Sequence, residues 1–286
     1  MCIFTRSIPI FATLLTIHTF AVEAEKNDIA LTAEVSAGNI LTLDLGSGVK
    51  MELVLIKPGT FQMGSPEGEK GRAADEKQHT VTIRKAFYMA KFPVTQEQYE
   101  AVINTNPSDF KKEKGGSPKH PVEQVSWNDA VEFCEKLDAI VNAKLPRGMK
   151  LQLPTEAQWE YGCRAGTKTQ FNTGDNEEDL ARAGWYTNNS DFTLHPVGQK
   201  VPNAFGLFDM HGNVFQWCQD AYVSEYEKLS VNDPLNAQGV YRVLRGGSWR
   251  SGYMRCRSAF RIHLSPAARG SHFGFRVVVG PTPKTP

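Results

Sequence analysis

The most informative segment of this 286-residue sequence reads Leu153-Pro154-Thr155-Glu156-Ala157-Gln158-Trp159-Glu160-Tyr161. Thr155 and Gln158 have the spacing of a capping box, in which a hydroxyl caps the first turn of a helix and a side chain three residues later reaches back to the cap. The segment therefore predicts a helix that begins near Thr155.

Two further capping boxes lie upstream. Thr95 precedes Gln98, and Ser126 precedes Asp129 in the looser acidic form, so helices are predicted to begin near Thr95 and Ser126. The helix after Ser126 places five apolar residues on one face: Ala130, Phe133, Cys134, Leu137 and Val141.

Strand patterns surround these helices. The apolar run 51–56, the turn residues 58–60 and the short segment 61–63 together predict a β-hairpin. Residues 79–83 alternate as a half-buried strand does. The segment 65–78 between them is rich in Glu, Gly, Lys and Asp, which is typical of a solvated loop.

The two ends of the chain carry weaker patterns. Residues 25–50 are polar overall, with one alternating stretch at 41–45, and predict a leader strand or a loose arm. After about Gly166 helical periodicity disappears, and Gly, Asn, Asp and aromatic residues separate short strand-like runs. No internal repeat or long linker divides the chain, so we expect one domain over residues 51–280 and a tail at 281–286.

Charge and the N-terminus limit the location and the partners. Lys and Arg number 32 against 31 acids, so the net charge of +1 offers no extended field for a phosphate backbone, and no nucleic-acid partner is expected. Arg6, the apolar run 8–22 and small residues up to Ala24 predict a signal peptide at 1–24, because the run is too short to span a bilayer. We expect a periplasmic or secreted protein with no membrane association after cleavage.

Four cysteines remain once the signal peptide, with Cys2, is removed. An oxidising compartment would allow two disulfides, in any of three pairings. The four are Cys134, Cys163, Cys218 and Cys256.

Six segments, in this order, resemble the formylglycine-generating (sulfatase-modifying) family. They are Pro58-Gly59-Thr60-Phe61-Gln62-Met63-Gly64, Pro93-Val94-Thr95, residues 153–161, Gly212-Asn213-Val214, Arg245-Gly246-Gly247-Ser248-Trp249 and Gly274-Phe275-Arg276. The resemblance implies an α+β fold of the C-type-lectin-like class, coil-rich with little regular secondary structure. It also implies a groove that receives an extended peptide.

The resemblance implies a catalytic site in which this sequence lacks one ligand. Active family members oxidise a sulfatase cysteine to formylglycine with O2, using two cysteines that bind Cu(I), a soft ion that prefers thiolates. Counting from Gly246, the first cysteine falls on Ser251 and the second on Cys256. Copper is therefore doubtful, and Cys256 is interpreted as structural, most simply paired with Cys218.

The other two cysteines match half-cystines of the family. The family partners of Cys134 and Cys163 fall on Val277 and Arg261, so those two bridges cannot form. Either Cys134 pairs with Cys163, or both are buried thiols that behave as small hydrophobic groups.

Further site residues come from the same alignment of motifs. Ser248 matches an active-site serine that could orient oxygen or substrate, and otherwise bonds backbone in a Gly-Gly turn. The candidate substrate-binding residues are Trp249, Arg257 and His272; the alternatives are core packing for Trp249 and a surface loop for His272. Five arginines could grip carboxylates or sulfate, or pair with acids elsewhere in the fold: Arg245, Arg250, Arg255, Arg257 and Arg261.

A calcium loop of the family maps onto Asp209, Gly212, Val214 and Gln216. Hard oxygen ligands suit calcium, but Gln216 replaces a carboxylate, which lowers the expected affinity. A tight Gly-Asn turn is the alternative interpretation.

Two functions follow. The favoured one is a module that binds an extended segment of another exported protein or peptide, with a sulfatase as one candidate, and that does not carry out copper oxidation. The alternative is an active formylglycine-generating oxidase with an altered site. Position 251 separates them, because the oxidase mechanism requires a ligand that serine does not provide.

Overall fold

The structure is a computed structural model that describes residues 33–36 and 40–281. The signal peptide expected at 1–24 and most of the expected tail lie outside the described residues. Within the described part, no helix combines the length and apolar character needed to cross a bilayer.

The largest unit is a six-stranded sheet with the order β1-β2-β3-β6-β12-β7, all of whose pairings are antiparallel. Its strands are β1 (Ala33–Ser36), β2 (Ile40–Asp44), β3 (Lys50–Ile56), β6 (Phe87–Ala90), β7 (Met149–Gln152) and β12 (Val278–Pro281). The alternation at 41–45 is thus part of a leader strand, because Leu41 and Leu43 of β2 lie buried in the main core.

Two of the predicted helices pack beside this sheet. Helix α1 (Gln96–Ile103) begins after Thr95 and α2 (Trp127–Val141) begins after Ser126, and both capping boxes form as predicted. The apolar face predicted for α2 is the face that the structure buries. It fills the main core between α2, α1 and the first sheet.

The predicted hairpin at 51–63 is wrong. Strand β4 (Gly59–Met63) does not fold back on β3 but pairs with β5 (His79–Ile83) in a separate two-stranded sheet. Strand β3 instead pairs with β2 and β6. Met51, Leu53 and Ile56 of β3 are buried within the large sheet, so two strand neighbours outweigh the local turn signal at 58–60.

A second sheet of four strands carries the C-terminal half, with the order β10-β9-β8-β11. Its strands are β8 (Phe215–Ala221), β9 (Arg242–Arg245), β10 (Arg261–Leu264) and β11 (Phe273–Phe275). Strands β8 and β11 run parallel, and the other pairs are antiparallel. Long irregular connections link these strands, as the coil-rich expectation requires.

Two more helices support the second sheet. Helix α3 (Glu156–Arg164) begins after Thr155 with the predicted capping box. Helix α4 (Glu177–Ala183) lies in the region where we expected no helix, and it begins with a capping box formed by Asn176 and Asp179. It contacts the 3-10 turn Tyr253–Cys256.

Candidate functional site

The candidate site is the loop that joins β9 to β10. The chain leaves β9 through Gly246 and Gly247, whose φ angles of 99° and 73° lie in the left-handed region. A Cβ on Gly247 would lie 2.5 Å from the Sγ atom of Cys256 and 2.9 Å from the carbonyl oxygen of Arg255. Glycine is therefore required at 247, because the backbone packs directly against the cysteine.

Ser248 and Ser251 face each other across this turn. Their hydroxyl oxygens are 2.9 Å apart, and the Oγ atom of Ser251 also accepts the backbone N–H of Ser248 at 3.1 Å. The Ser251 N–H in turn donates to the Ser248 carbonyl at 2.9 Å. Both side chains are buried, so the hydroxyl at the first copper-ligand position already bonds its own turn.

Cys256 lies beneath this turn and is completely buried. It shares a small apolar cluster with Phe171, Leu180 and Tyr186. Burial in these surroundings raises the pKa of the Cys256 thiol to about 12. At neutral pH the sulfur is therefore a protonated thiol, whereas Cu(I) binding and nucleophilic chemistry both need a thiolate.

His211 fixes the backbone at Cys256, a role that its position in the sequence did not reveal. One ring nitrogen, Nε2, accepts the N–H of Asn172 at 3.0 Å, so Nδ1 carries the proton and donates it to the Cys256 carbonyl at 2.8 Å. Burial lowers the pKa of His211 to about 4, which keeps the ring neutral. The Sγ atom of Cys163 lies 3.6 Å from Nε2.

Trp249 forms the apolar floor beside the serines. Its indole N–H donates to the Ser271 carbonyl at 2.9 Å, and its ring meets Phe110 edge to face with centroids 5.6 Å apart. Its backbone accepts the Ser190 hydroxyl at 2.6 Å. Trp249 is 8% exposed, so most of its surface packs inside the protein.

His272 lies close to this floor and is partly buried. Its Nδ1 atom is buried without a hydrogen-bond partner, and its ring packs against Phe273 with centroids 4.1 Å apart. Burial, with a smaller contribution from the charge of Arg250, lowers the pKa of His272 to about 4. The ring is therefore a neutral group at physiological pH.

Arg257, predicted as a substrate-binding residue, bonds groups of the protein itself rather than pointing to the surface. The side chain is fully buried, and its guanidinium makes a two-point contact with Glu76 at 2.8 and 2.9 Å. It also bonds Glu69 and the carbonyl oxygens of Gly71 and Met254. The segment 65–78, expected to be a solvated loop, thus contributes two acids to the interior.

Two more arginines of the predicted anion-binding set are paired internally. Arg261 makes a two-point contact with Glu156, at 2.8 Å to each carboxylate oxygen, and Arg245 contacts both Glu156 and Glu160. Arg164 adds a third guanidinium, 2.8 Å from Glu160. The acids of α3 therefore hold the ends of β9 and β10, and only Arg250 and Arg255 of the five arginines are exposed.

The loop matched to calcium packs directly under the candidate site. The Asn213 carbonyl accepts the N–H of Trp249, and a Cβ on Gly246 would lie 3.2 Å from the Met210 carbonyl oxygen. Gln216 Oε1 accepts N–H groups from Trp159 at 2.8 Å and from Arg276 at 2.7 Å. Both lone pairs of this oxygen are therefore used.

The guanidinium of Arg276 places a positive charge beside Gln216. It is completely buried, and besides Gln216 it bonds the carbonyl oxygens of Ala90, Phe208 and Asp209. Asp209 is the one carboxylate of the four matched residues. A calcium ion would have to compete with this guanidinium for the same oxygens, so the residues present do not fit calcium well.

The disulfide pairing of Cys256 with Cys218 is not present. All four cysteines of the described chain are free and buried, and these two belong to different apolar clusters. For Cys134 and Cys163 the structure agrees with the alternative that both are buried thiols.

Ser248, Trp249, Ser251 and Cys256 are thus assembled by one loop, with His272 nearby and the predicted calcium loop beneath. The family model described as the sulfatase-modifying factor enzyme 1-like domain matches residues 47–281. The chain belongs to the sulfatase-modifying factor family. This result confirms both the resemblance and the coil-rich α+β fold.

Relatives in this family carry several names. Serine/threonine-protein kinase pkn1 of Chlamydia pneumoniae is 34% identical over 79% of this chain, which spans 37% of that protein's length. The chaperone protein LppX of Paenibacillus barcinonensis is 27% identical over 87% of this chain and 96% of its own length. The formylglycine-generating enzyme of Streptomyces coelicolor is 32% identical over 61% of this chain and 59% of its own length.

Two solved structures share the fold over nearly their whole length. Treponema denticola variable protein 1 superposes with a TM-score of 0.73 at 31% identity, covering 84% of this chain and 98% of its own. PvdO from Pseudomonas aeruginosa gives a TM-score of 0.74 at 28% identity, covering 86% of this chain and 99% of its own. The sulfatase-modifying factor fold is thus shared by proteins with unlike names.

Proposed function

We propose that this member of the sulfatase-modifying factor family is a binding or accessory module. It recognises an extended segment of another exported protein, with a sulfatase as one candidate, and does not carry out copper-dependent oxidation. The proposal includes export itself, which depends on the signal peptide expected at residues 1–24.

The observation that carries this proposal is the state of the two copper-ligand positions. Ser251 supplies a hydroxyl whose oxygen is already hydrogen-bonded to Ser248. Cys256 supplies a fully buried thiol whose pKa is raised to about 12. Capture of Cu(I) would require two thiolates. In this loop, position 251 has no sulfur and the sulfur of Cys256 is protonated.

The relatives support a binding role from a different direction. LppX is named a chaperone and aligns with this chain over almost its whole length. A chaperone acts by contact with another protein, and such contact needs no copper site. The oxidase alternative is supported by relatives named formylglycine-generating enzyme, but Ser251 stands against it.

Aldehyde formation tests this proposal. Purified protein is incubated with Cu(I), O2 and a reductant in the presence of a Cys-x-Pro-x-Arg peptide, the motif that the family modifies, and the peptide mass is followed. We expect no conversion by the wild type. Conversion of the cysteine to formylglycine would overturn the proposal and show that Cys256 alone suffices.

A matched pair of variants shows whether position 251 is decisive. Ser251→Cys restores the second sulfur in the turn, and a gain of copper binding or aldehyde formation is expected from this variant alone. Ser108→Cys is the control, because Ser108 is another buried serine and lies next to Glu123 rather than Cys256. Equal gains in both variants would show that a thiol anywhere produces the signal.

A further inference from the structure

Arg250 is an exposed cation of the candidate site, beside Trp249. It lies between Trp249 and Ser251, and its guanidinium carbon is 5.8 Å from the centroid of the Trp249 ring. In the described part of the chain it forms no ion pair with an acid, whereas Arg257 is saturated by Glu69 and Glu76. Its five N–H donors are therefore free for a ligand.

Two other exposed cations lie in or beside the turn that follows Arg250. Arg255 is exposed in the following turn, and Lys70 lies 5.9 Å from the ring centroid of Tyr253 in that turn. Neither cation has an acidic partner within residues 40–281. The unpaired guanidinium of Arg250 favours an acidic group as its ligand, although the whole chain is nearly neutral and the acids Glu177 and Asp191 lie on adjoining segments.

An exposed aromatic residue stands on the adjoining loop. Ser190 bonds the Trp249 carbonyl, and Leu194 packs against the Trp249 ring, so the loop is anchored to the tryptophan on both sides. Thr187 adds a third bond, from its N–H to the Ser251 carbonyl at 3.0 Å. Phe192 lies between the two anchors and is nevertheless 69% exposed.

The backbone at this aromatic is strained. Asp191 and Phe192 have φ angles of 52° and 54°, in the left-handed region that a bulky side chain rarely adopts. The fold bears this strain and still leaves the ring in solvent, so the ring contributes little to packing. Strained backbone and exposed aromatic groups are both features of ligand-binding loops.

We propose that Arg250 and Phe192 form a subsite for an acidic peptide. Arg250 binds a carboxylate of the peptide in a two-point contact, and Phe192 packs on an apolar side chain adjacent to that carboxylate. Trp249 connects the two residues, because its ring contacts Arg250 and packs against Leu194 of the loop that carries Phe192. This inference rests on the proposed binding function and specifies the kind of segment that is bound.

Four fluorescent peptides test the chemistry. They share a Gly-Ser frame and differ in a central pair, which is Phe-Glu, Phe-Gln, Ser-Glu or Phe-Lys, and their binding to the full chain is followed by fluorescence anisotropy at low ionic strength. We expect the Phe-Glu peptide to bind about tenfold more tightly than the Phe-Gln and Ser-Glu peptides. The Phe-Lys peptide should bind most weakly, and binding should weaken as salt is raised.

Variants of the protein test the two residues. Arg250→Ala should weaken Phe-Glu binding about tenfold and abolish the preference over Phe-Gln, while the control Arg255→Ala, with the same loss of charge in the same loop, should change affinity less than twofold. Asp191→Asn should strengthen binding, because it removes a negative charge next to Phe192 that repels the carboxylate of the peptide. Phe192→Asn should weaken binding and raise the melting temperature by about 2 °C, because asparagine tolerates a left-handed φ.

Phe192→Asn also separates a binding role from a structural one, because a packing residue would lower the melting temperature when replaced. The control Val240→Asn changes another exposed apolar residue, 75% exposed, and should leave Phe-Glu affinity unchanged. Equal binding of all four peptides, or no binding, would overturn the subsite. Equal losses in Arg250→Ala and Arg255→Ala would show a diffuse charge effect and overturn it as well.

The proposed function can fail separately. If the chain converts the Cys-x-Pro-x-Arg peptide to aldehyde, the binding-module function is wrong whatever the four peptides show. If it makes no aldehyde and binds the Phe-Gln and Phe-Glu peptides equally, the function stands and the subsite does not.

Discussion

Replacement of Arg257 by alanine should severely destabilise the protein. The side chain is buried and holds two acids, Glu76 at 2.8 and 2.9 Å and Glu69 at 2.5 Å. Its burial alone would lower the pKa of the guanidinium, but the hydrogen bond and charge of Glu76 raise it, so the guanidinium stays charged. Removing the cation strands these carboxylates in the interior, which costs about 3–5 kcal/mol.

That loss is comparable with the whole stability of an ordinary domain, about 5–15 kcal/mol. Urea unfolding followed by tryptophan fluorescence at pH 7.5 measures it, with Arg255→Ala as the exposed control, expected within about 0.5 kcal/mol of wild type. The deficit of Arg257→Ala should shrink at pH 5, because protonation of the stranded acids removes their uncompensated charge. A loss under about 1 kcal/mol at pH 7.5, or one unchanged by pH, would refute this reasoning.

Three further predictions concern buried groups. Burial raises the pKa of Glu123 from 4.5 to about 7, so between these pH values the folded state retains a proton that the unfolded state loses. The contribution of Glu123 to the free energy of unfolding is therefore full below pH 4.5 and falls by up to about 3 kcal/mol as the pH rises through 7. Glu123→Gln should flatten this decline when urea unfolding is measured from pH 4 to 8. The four buried cysteines should resist a thiol reagent at pH 8 in the native protein and all react in guanidinium; rapid native labelling of Cys256 would contradict its burial. Calcium at 5 mM should not shift the melting temperature relative to a chelator, since Arg276 and Trp159 occupy the side-chain oxygen of Gln216; a rise above 3 °C would show that an ion binds there.

Local signals in the sequence predicted the parts of the fold that depend on neighbouring residues. The capping boxes at Thr95, Ser126 and Thr155 all form, because the hydroxyl and its partner are three residues apart whatever surrounds them. A fourth box, at Asn176, lies outside the predicted set, although it uses the same chemistry with an amide as the cap. The helix after it is short and gives little periodicity.

Local sequence patterns do not predict contacts between residues that are far apart along the chain. The hairpin at 51–63 was predicted from its turn, but β3 takes its partners from β2 and β6, which the turn does not encode. The partner of Arg257 lies 181 residues away, in a segment whose composition is typical of a solvated loop. Composition reports the average polarity of a segment and not which acid turns inward.

In the candidate site, too, local motifs predict some features and only the folded chain determines others. The motif Arg245–Trp249 placed Ser248, Ser251 and Cys256 in one loop, and the structure brings them together there. His211 gave no signal, because a lone histidine bonded to the Cys256 carbonyl has no local pattern. The free state of Cys218 and Cys256 depends on which apolar cluster surrounds each sulfur, which only the folded chain determines.

Cu(I) affinity distinguishes the binding module from the oxidase most directly. The full chain is titrated anaerobically with Cu(I) in competition with bicinchoninate, beside its Ser251→Cys and Cys256→Ser variants. We predict that the wild type takes no Cu(I) from the chelator, because Ser251 offers no sulfur and Cys256 is a buried, protonated thiol. Capture of one equivalent by the wild type, lost in Cys256→Ser, would contradict it.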